Sequence, residues 1–289
     1  MDIELIFDPM SEVGESPVWD AEQETLWWVD LLKGELHRWR QSEGCDLVCS
    51  LGKSLGFVVP SVEGGFIAGT GDGLGILDAE GRFRLVVPMD IRKQGFRIND
   101  GKCDVHGRLW FGTMSDETHQ GGCLYVVRDN WGLELVRQNM GVPNGMGWSP
   151  DGETMYLADT GARQLEIWRY DPGGGSLVDL QVVVSFGADE GGPDGLTVDR
   201  DGCVWVCLWG GHGLRRYAPD GTLLESLQLP ALNAASCTFG GPSFVDLYIT
   251  TARYGLTPSA LADWPGSGGV YRCRPAVGGL PVDTFVNAS

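Results

Sequence analysis

The chain has 289 residues, 43% of them hydrophobic, enough to bury a sizeable core. Its formal net charge of −18 repels phosphate backbones, which argues against nucleic acid as a partner, and no stretch is long and apolar enough to span a bilayer. The same acidity disfavours strongly anionic substrates unless a local basic pocket or a metal overrides the field, so a small neutral substrate is expected.

Met1 leads directly into Asp2-Ile3-Glu4-Leu5-Ile6-Phe7, without a basic leader, an apolar core or a small-residue cleavage site. The expected location is therefore the cytoplasm. The eight cysteines, at 45, 49, 103, 123, 203, 207, 237 and 273, then read as reduced thiols. Cys45/Cys49 and Cys203/Cys207 are four apart, wider than a C-x-x-C zinc spacing, and read as packing residues.

Along the chain, short apolar and aromatic runs alternate with turns rich in Gly, Asp, Asn and Pro, an all-β pattern. Ser16 to Asp20 leads to Leu26-Trp27-Trp28-Val29-Asp30, and a looser copy runs from Val58 to Gly69. Further copies are Lys102 to Gly112, Met146 to Leu157, Leu196 to Val206 and Cys237 to Thr251. Anchored on Trp27, Phe66, Trp110, Tyr156, Trp205 and Tyr248, the steps are 39, 44, 46, 49 and 43 residues. A strand repeat of about 40 to 50 residues is the length of one four-stranded propeller blade. Six repeats fill the chain, which predicts a six-bladed β-propeller with four-stranded blades, a single domain over residues 1–289. A β-sandwich is the alternative. In the first blade, strands are expected near Glu15 to Trp19, Thr25 to Asp30, Glu35 to Trp39 and Asp46 to Ser50. Gly269 to Arg274 and Asp283 to Val286 read as late strands, and Asp2 to Phe7 as a strand that pairs into the last blade and closes the ring.

The start of each innermost strand should lie near the central channel, 11 or 12 residues before the anchor. Those positions are Glu15, Ser54, Asn99, Asn144, Asp194 and Ser236. Four of the six carry carboxylate or amide oxygens, and Gly or Pro brackets each. Any single N-G or D-G reads as a hairpin turn. Four in one register point to a shared site with oxygen ligands. Such a site suits one divalent cation: Ca²⁺, Mg²⁺ or Mn²⁺, with Zn²⁺ or Fe²⁺ open. The histidines at 37, 106, 119 and 212 form no metal or nucleophile motif, and no phosphate loop or nucleophile elbow is present.

At these residues the sequence resembles the family of senescence marker protein-30, gluconolactonases and related sugar lactonases, also called the regucalcin family. The matching segments are Gly14-Glu-Ser-Pro-Val-Trp19, Arg97-Ile-Asn-Asp-Gly-Lys102, Gly107 to Met114, Val142-Pro-Asn-Gly-Met146 and Ser149 to Gly152. Pro193-Asp-Gly195, Leu208 to Gly211, Phe239 to Pro242 and Thr250 to Arg253 follow in family order. The resemblance implies a metal held by Glu15, Asn144 and Asp194. It implies substrate contacts from Arg97 and Asn99, and from Glu117 to sugar hydroxyls, which moves Asn99 from the ligands to the substrate side.

The activity this implies is metal-assisted hydrolysis of a sugar lactone, the cation polarising the carbonyl or lowering the pKa of water, with Asp194 as catalytic base. A small neutral sugar lactone is the expected partner, without nucleic acid or membrane, and the protein is expected as a monomer or weak oligomer. Rival readings are an aryl-ester or organophosphate hydrolase and a non-enzymatic calcium-binding or scaffold propeller. No cluster of Lys and Arg flanks the motifs, which argues against a phosphosugar.

Overall fold

The aromatic-rich runs fold as the second strands of six sheets. Leu26, Trp27, Trp28 and Val29 are buried on both faces of their strand, and Trp110, Tyr156, Trp205 and Tyr248 are also nearly inaccessible. A strand can be apolar on both faces only where other layers cover it on both sides, as blades do for one another. Full burial of such a side chain stabilises by about 1.5–3 kcal/mol.

The computed structural model describes residues 1–287, which form six four-stranded antiparallel sheets. From the inner strand outward, blade 1 is Gly14–Asp20, Thr25–Asp30, Glu35–Arg40 and Gly44–Ser50. Blade 2 is Leu55–Pro60, Phe66–Thr70, Gly73–Leu77 and Phe83–Pro88. Blade 3 is Phe96–Cys103, Leu109–Ser115, Gly122–Arg128 and Gly132–Met140. Blade 4 is Pro143–Trp148, Thr154–Asp159, Gln164–Asp171 and Ser176–Ser185. Blade 5 is Gly192–Val198, Val204–Trp209, Gly213–Tyr217 and Leu223–Gln228. Blade 6 is Asn233–Gly240, Asp246–Ala252 and Val270–Cys273, completed on its outer edge by Ile3–Phe7. Each inner strand packs on the next, and the sixth packs on the first, so the ring is closed. The six anchor aromatics all stand in second strands, as the repeat spacing predicts.

Asp283 to Val286 departs from expectation. It is not a strand of the last blade, because Ile3–Phe7 already occupies that edge. Instead the C-terminal segment crosses the end of the ring remote from the starts of the inner strands. Arg200 N–H donates to Gly278, Phe285 N–H to Pro60, and Val286 N–H to Gly107, at 3.0, 2.7 and 3.0 Å. Phe285 buries its ring among Phe57, Ile67 and Leu109. The segment thus stitches together blades that are distant in sequence.

All eight cysteines are free. Among the described residues no helix is long and apolar enough to cross a membrane.

Candidate active site

Every inner strand carries a break in its pairing register where it passes the channel. The breaks fall between Glu15 and Val18, Leu55 and Phe57, Ile98 and Gly101, Pro143 and Met146, Pro193 and Leu196, and Ala234 and Ser236. A bulge of this kind re-aims side chains out of the sheet plane. Asn99 with Asp100, Asn144 and Asp194 fall inside these breaks, whereas Glu15 stands at the edge of its own, just before Ser16 and Pro17. In blades 2 and 6 the unpaired residue is Gly56 or Ala235; Ser236 stands at the edge of its break, as Glu15 does, and Ser54 lies just before its strand. The small residues permit close approach: a Cβ on Gly56 would sit 2.4 Å from the Asn99 carbonyl oxygen, and one on Gly145 2.4 Å from that of Asp194.

Glu15, Asn144 and Asp194 meet at the floor of a cavity of about 620 Å³, and Arg97 and Asn99 line its side. The three floor residues are each at most 6% exposed. Asn144 Nδ2 donates to Asp194 Oδ1 and, at 3.1 Å, to Thr160 Oγ1. Its own carbonyl oxygen, Oδ1, is buried without a partner. Glu15 Oε2 accepts from the Ser16 N–H at 3.1 Å. Burial pushes the Glu15 carboxyl well above the usual carboxylate range; repulsion from Asp194 and Asp100 adds to this, against the Ser16 N–H and Arg97. Burial likewise raises Asp194 well above its usual range, helped by Asp100 and opposed by Asn144, the Gly195 N–H and Arg97. Asp100, from the same bulge as Asn99, is also pushed up by burial, with Lys102 and the Gly101 N–H opposing.

Arg97 is held in place rather than loose. Its Nε donates to Asp116 Oδ1 at 2.8 Å and its Nη1 to Asn99 Oδ1 at 2.7 Å. Asn99 Nδ2 donates to the Pro143 carbonyl at 3.2 Å, which couples blade 3 to blade 4. The lining also has an apolar part, with Val13, Leu31, Val142, Trp209 and Leu256.

Five of the six expected site residues therefore surround one cavity. Glu117 stands apart: it lines an adjoining cleft, and its neighbour Asp116 is the acid that faces Arg97. That cleft also gathers Lys33, Lys53 and Arg92, so the fold assembles a basic cluster that does not flank the motifs in sequence. Asp100, Asp116 and Thr160 are the polar groups that sequence reasoning did not single out as site residues. Asp100 was signalled only by its place inside the Asn-Asp-Gly motif. Among the described residues, no three His, Cys, Asp or Glu side chains converge as a metal site; the set here has two carboxylates and one amide.

Comparison with known proteins identifies the family and the fold. The family model described as SMP-30/Gluconolactonase/LRE-like region matches residues 13–253. Regucalcin of Danio rerio is 34% identical over 284 residues, covering 97% of this chain and 95% of its own. A 6-deoxy-6-sulfogluconolactonase of Pseudomonas putida is 34% identical over 278 residues, covering 95% of each chain. The crystal structure of regucalcin from Agrobacterium tumefaciens strain C58, described as a calcium-binding protein, superposes with a TM-score of 0.90 at 27% identity, covering 96% of this chain and 94% of its own.

Proposed function

The chain belongs to the SMP-30/gluconolactonase/LRE-like family, and from that premise we propose that it is an enzyme that hydrolyses a sugar lactone to the sugar acid, with one divalent cation held by Glu15, Asn144 and Asp194. The observation that carries this reading is the cavity floor. Two buried carboxylates face each other with the orphaned Oδ1 of Asn144, and Asp194 repels Glu15. More acceptor oxygens than donors gather here, with Asn144 Oδ1 left without any, and such a set suits a hard cation with oxygen ligands. When bound, such a cation supplies Lewis-acid polarisation of the lactone carbonyl.

The remaining roles fall to the protein. Asp194, on the cavity floor beside the proposed cation, accepts a proton from the attacking water. The water oxygen bonds to the carbonyl carbon, the ring C–O bond breaks, and the ring oxygen leaves with a proton as the hydroxyl of the sugar acid. Arg97 and Asn99 bind sugar oxygens; the Asp116 contact fixes the guanidinium so that it need not be ordered on binding. The name of the Pseudomonas relative, a lactonase, supports this substrate class. A neutral lactone ring also suits a chain of net charge −18.

The test is hydrolysis of aldonolactones before and after chelation, with divalent ions restored one at a time. Activity that survives complete chelation removes the metal from the proposal. Full turnover by an Asp194→Ala protein removes the catalytic role of that residue. The apolar wall of Val13, Leu31, Val142, Trp209 and Leu256 favours one second reading, an aryl-ester hydrolase. Faster turnover of phenyl acetate than of any lactone decides for it.

A further inference from the structure

A second cleft, of about 630 Å³, opens beside the cavity and shares Arg97 and Asp116 with it. Its basic residues come from four separate places. Lys33 follows the second strand of blade 1, Lys53 precedes the inner strand of blade 2, Arg92 opens a short turn of helix before blade 3, and Arg97 lies in the inner strand of that blade. The lining holds four basic and two acidic side chains, Asp116 and Glu117. The chain as a whole has 39 acidic against 21 basic residues, so this cleft reverses the overall balance.

Two carboxylates outside the lining, Asp72 and Asp30, face three of these cations. Lys53 Nζ contacts Asp72 Oδ2 at 2.5 Å, and Arg92 reaches the same carboxylate only at 3.9 Å. Two cations thus share one carboxylate, and the Arg92 side chain is 62% exposed. Lys33 rests on Asp30 at 3.0 Å, but that carboxylate already accepts the Glu12 and Val13 N–H groups. Arg92 offers a planar fork of donors to solvent, the geometry that suits a tetrahedral oxyanion.

We propose that this cleft is a subsite for a terminal phosphate or sulfonate carried by the sugar lactone, with Arg92 and Lys53 as its donors. The proposal rests on the lactonase reading of the adjoining cavity. Arg97 stands in the wall common to both, so one extended substrate can place its lactone over Glu15 and Asp194 and its charged end against Arg92. The cleft is then the local basic pocket that an acidic protein needs in order to accept an anionic substrate.

The experiment compares kcat/KM for gluconolactone with that for its 6-phosphate and 6-sulfonate counterparts, in the native protein and in the Arg92→Ala/Lys53→Met double variant. The native protein is expected to prefer an anionic lactone by about tenfold or more, the gain of a charged hydrogen-bond pair. The double variant loses that preference through KM, while the neutral lactone is turned over as before, and Arg92→Lys recovers part of it. The better of the two anionic arms identifies the group. Absence of any preference in the native protein, or equal losses on all three lactones in the variant, overturns the subsite. Should none of the three be opened, the lactonase reading fails instead. The cleft is then judged by calorimetric binding of inorganic phosphate, which must be seen in the native protein and lost in the double variant.

Discussion

Asp104, just past the end of one inner strand, and Asp194, near the start of another, are both deeply buried aspartates, and the fold treats them in opposite ways. Asp104 opens the turn that leaves the inner strand of blade 3. Its carboxylate accepts from the N–H groups of His106 and Arg108, from Arg108 Nε at 2.7 Å, from Trp110 Nε1 at 3.1 Å, and from the Tyr170 hydroxyl. Asp199 in blade 5 repeats the pattern with Cys203, Trp205 and Arg216. Asp194 receives one amide and one N–H and faces other carboxylates. A buried charge is tolerated only when it is paired and hydrogen-bonded. The far end meets that rule within the chain, whereas at Asp194 the chain's own donors meet it only in part.

The largest expected effects come from exchanging the two losses. Asp194→Asn should lower kcat by about 100-fold or more, the usual range for a lost general base. It should leave the metal-free protein as stable as before or more stable, because a repelled carboxylate is gone. Asp104→Asn should cost about 3–5 kcal/mol, since it leaves the Arg108 guanidinium without its buried partner. The folded fraction should turn over at the native rate. Urea melts and initial rates on both proteins decide. A destabilised Asp194→Asn with a stable Asp104→Asn would invert the contrast.

A glycine pair sharpens it. A Cβ on Gly145 would meet the Asp194 carbonyl at 2.4 Å, so Gly145→Ala must push blade 4 away from blade 5 beneath the site. The expected cost is about 1–3 kcal/mol, with a fall in kcat of about 100-fold if Asn144 moves by an ångström. Gly173, in a turn at the far end, has its nearest neighbour at 3.4 Å. Gly173→Ala should change stability by no more than about 0.5 kcal/mol. Similar kinetic losses in both variants would show that the mouth has no special demand for close approach.

A third effect belongs to the C-terminal segment. Burial raises the pKa of Asp283 to about 6, with repulsion from Asp104 adding and the Lys102 ammonium opposing. Between the ordinary aspartate pKa of about 4 and this value, the folded protein holds a proton that the unfolded chain has released. The stabilisation is complete below that window and fades as pH rises through about 6. Melting temperatures from pH 4 to 7, compared with Asp283→Asn, should show the native protein losing stability relative to the variant as pH rises. Parallel curves would place Asp283 in water.

How much of this is readable in the sequence follows from which forces are local. The second strands are readable because Trp27, Trp110 and Trp205 stand in runs that only two-sided burial explains, and their spacing alone yields the blade count. Ile3–Phe7 is readable for a different reason, as a short apolar run that can close the last blade from its outer edge, where it stays partly exposed. Asp283 to Val286 reads equally well as a strand and is not one, because strand pairing depends on a free edge, and the N-terminal segment had taken the last. The floor residues are readable where Gly or Pro brackets the bulge, at Glu15, Asn144 and Asp194. Asp100 is hidden because a bulge presents two neighbouring residues to the channel where strand alternation presents one. The basic cleft is hidden altogether, since Lys33, Lys53, Arg92 and Arg97 each read singly as a solvated charge.

The smallest expected effect concerns Glu117, where family resemblance and geometry part. The resemblance implies a contact to sugar hydroxyls, so Glu117→Gln should raise KM for a neutral lactone about tenfold or more, the loss of a charged hydrogen bond. The structure places Glu117 in the lining of the basic cleft, across Asp116 from the cavity that holds Asp194. From there it meets the end of the substrate rather than its ring. We therefore expect KM for gluconolactone to change by less than about threefold, within the range of a solvent-facing charge. KM for a 6-phosphorylated or 6-sulfonated lactone should fall by a similar small factor, because one of the two carboxylates opposing the anion has been neutralised. The sign on the anionic lactone carries the test: a rise in KM there would return Glu117 to the sugar, and a fall keeps it in the cleft.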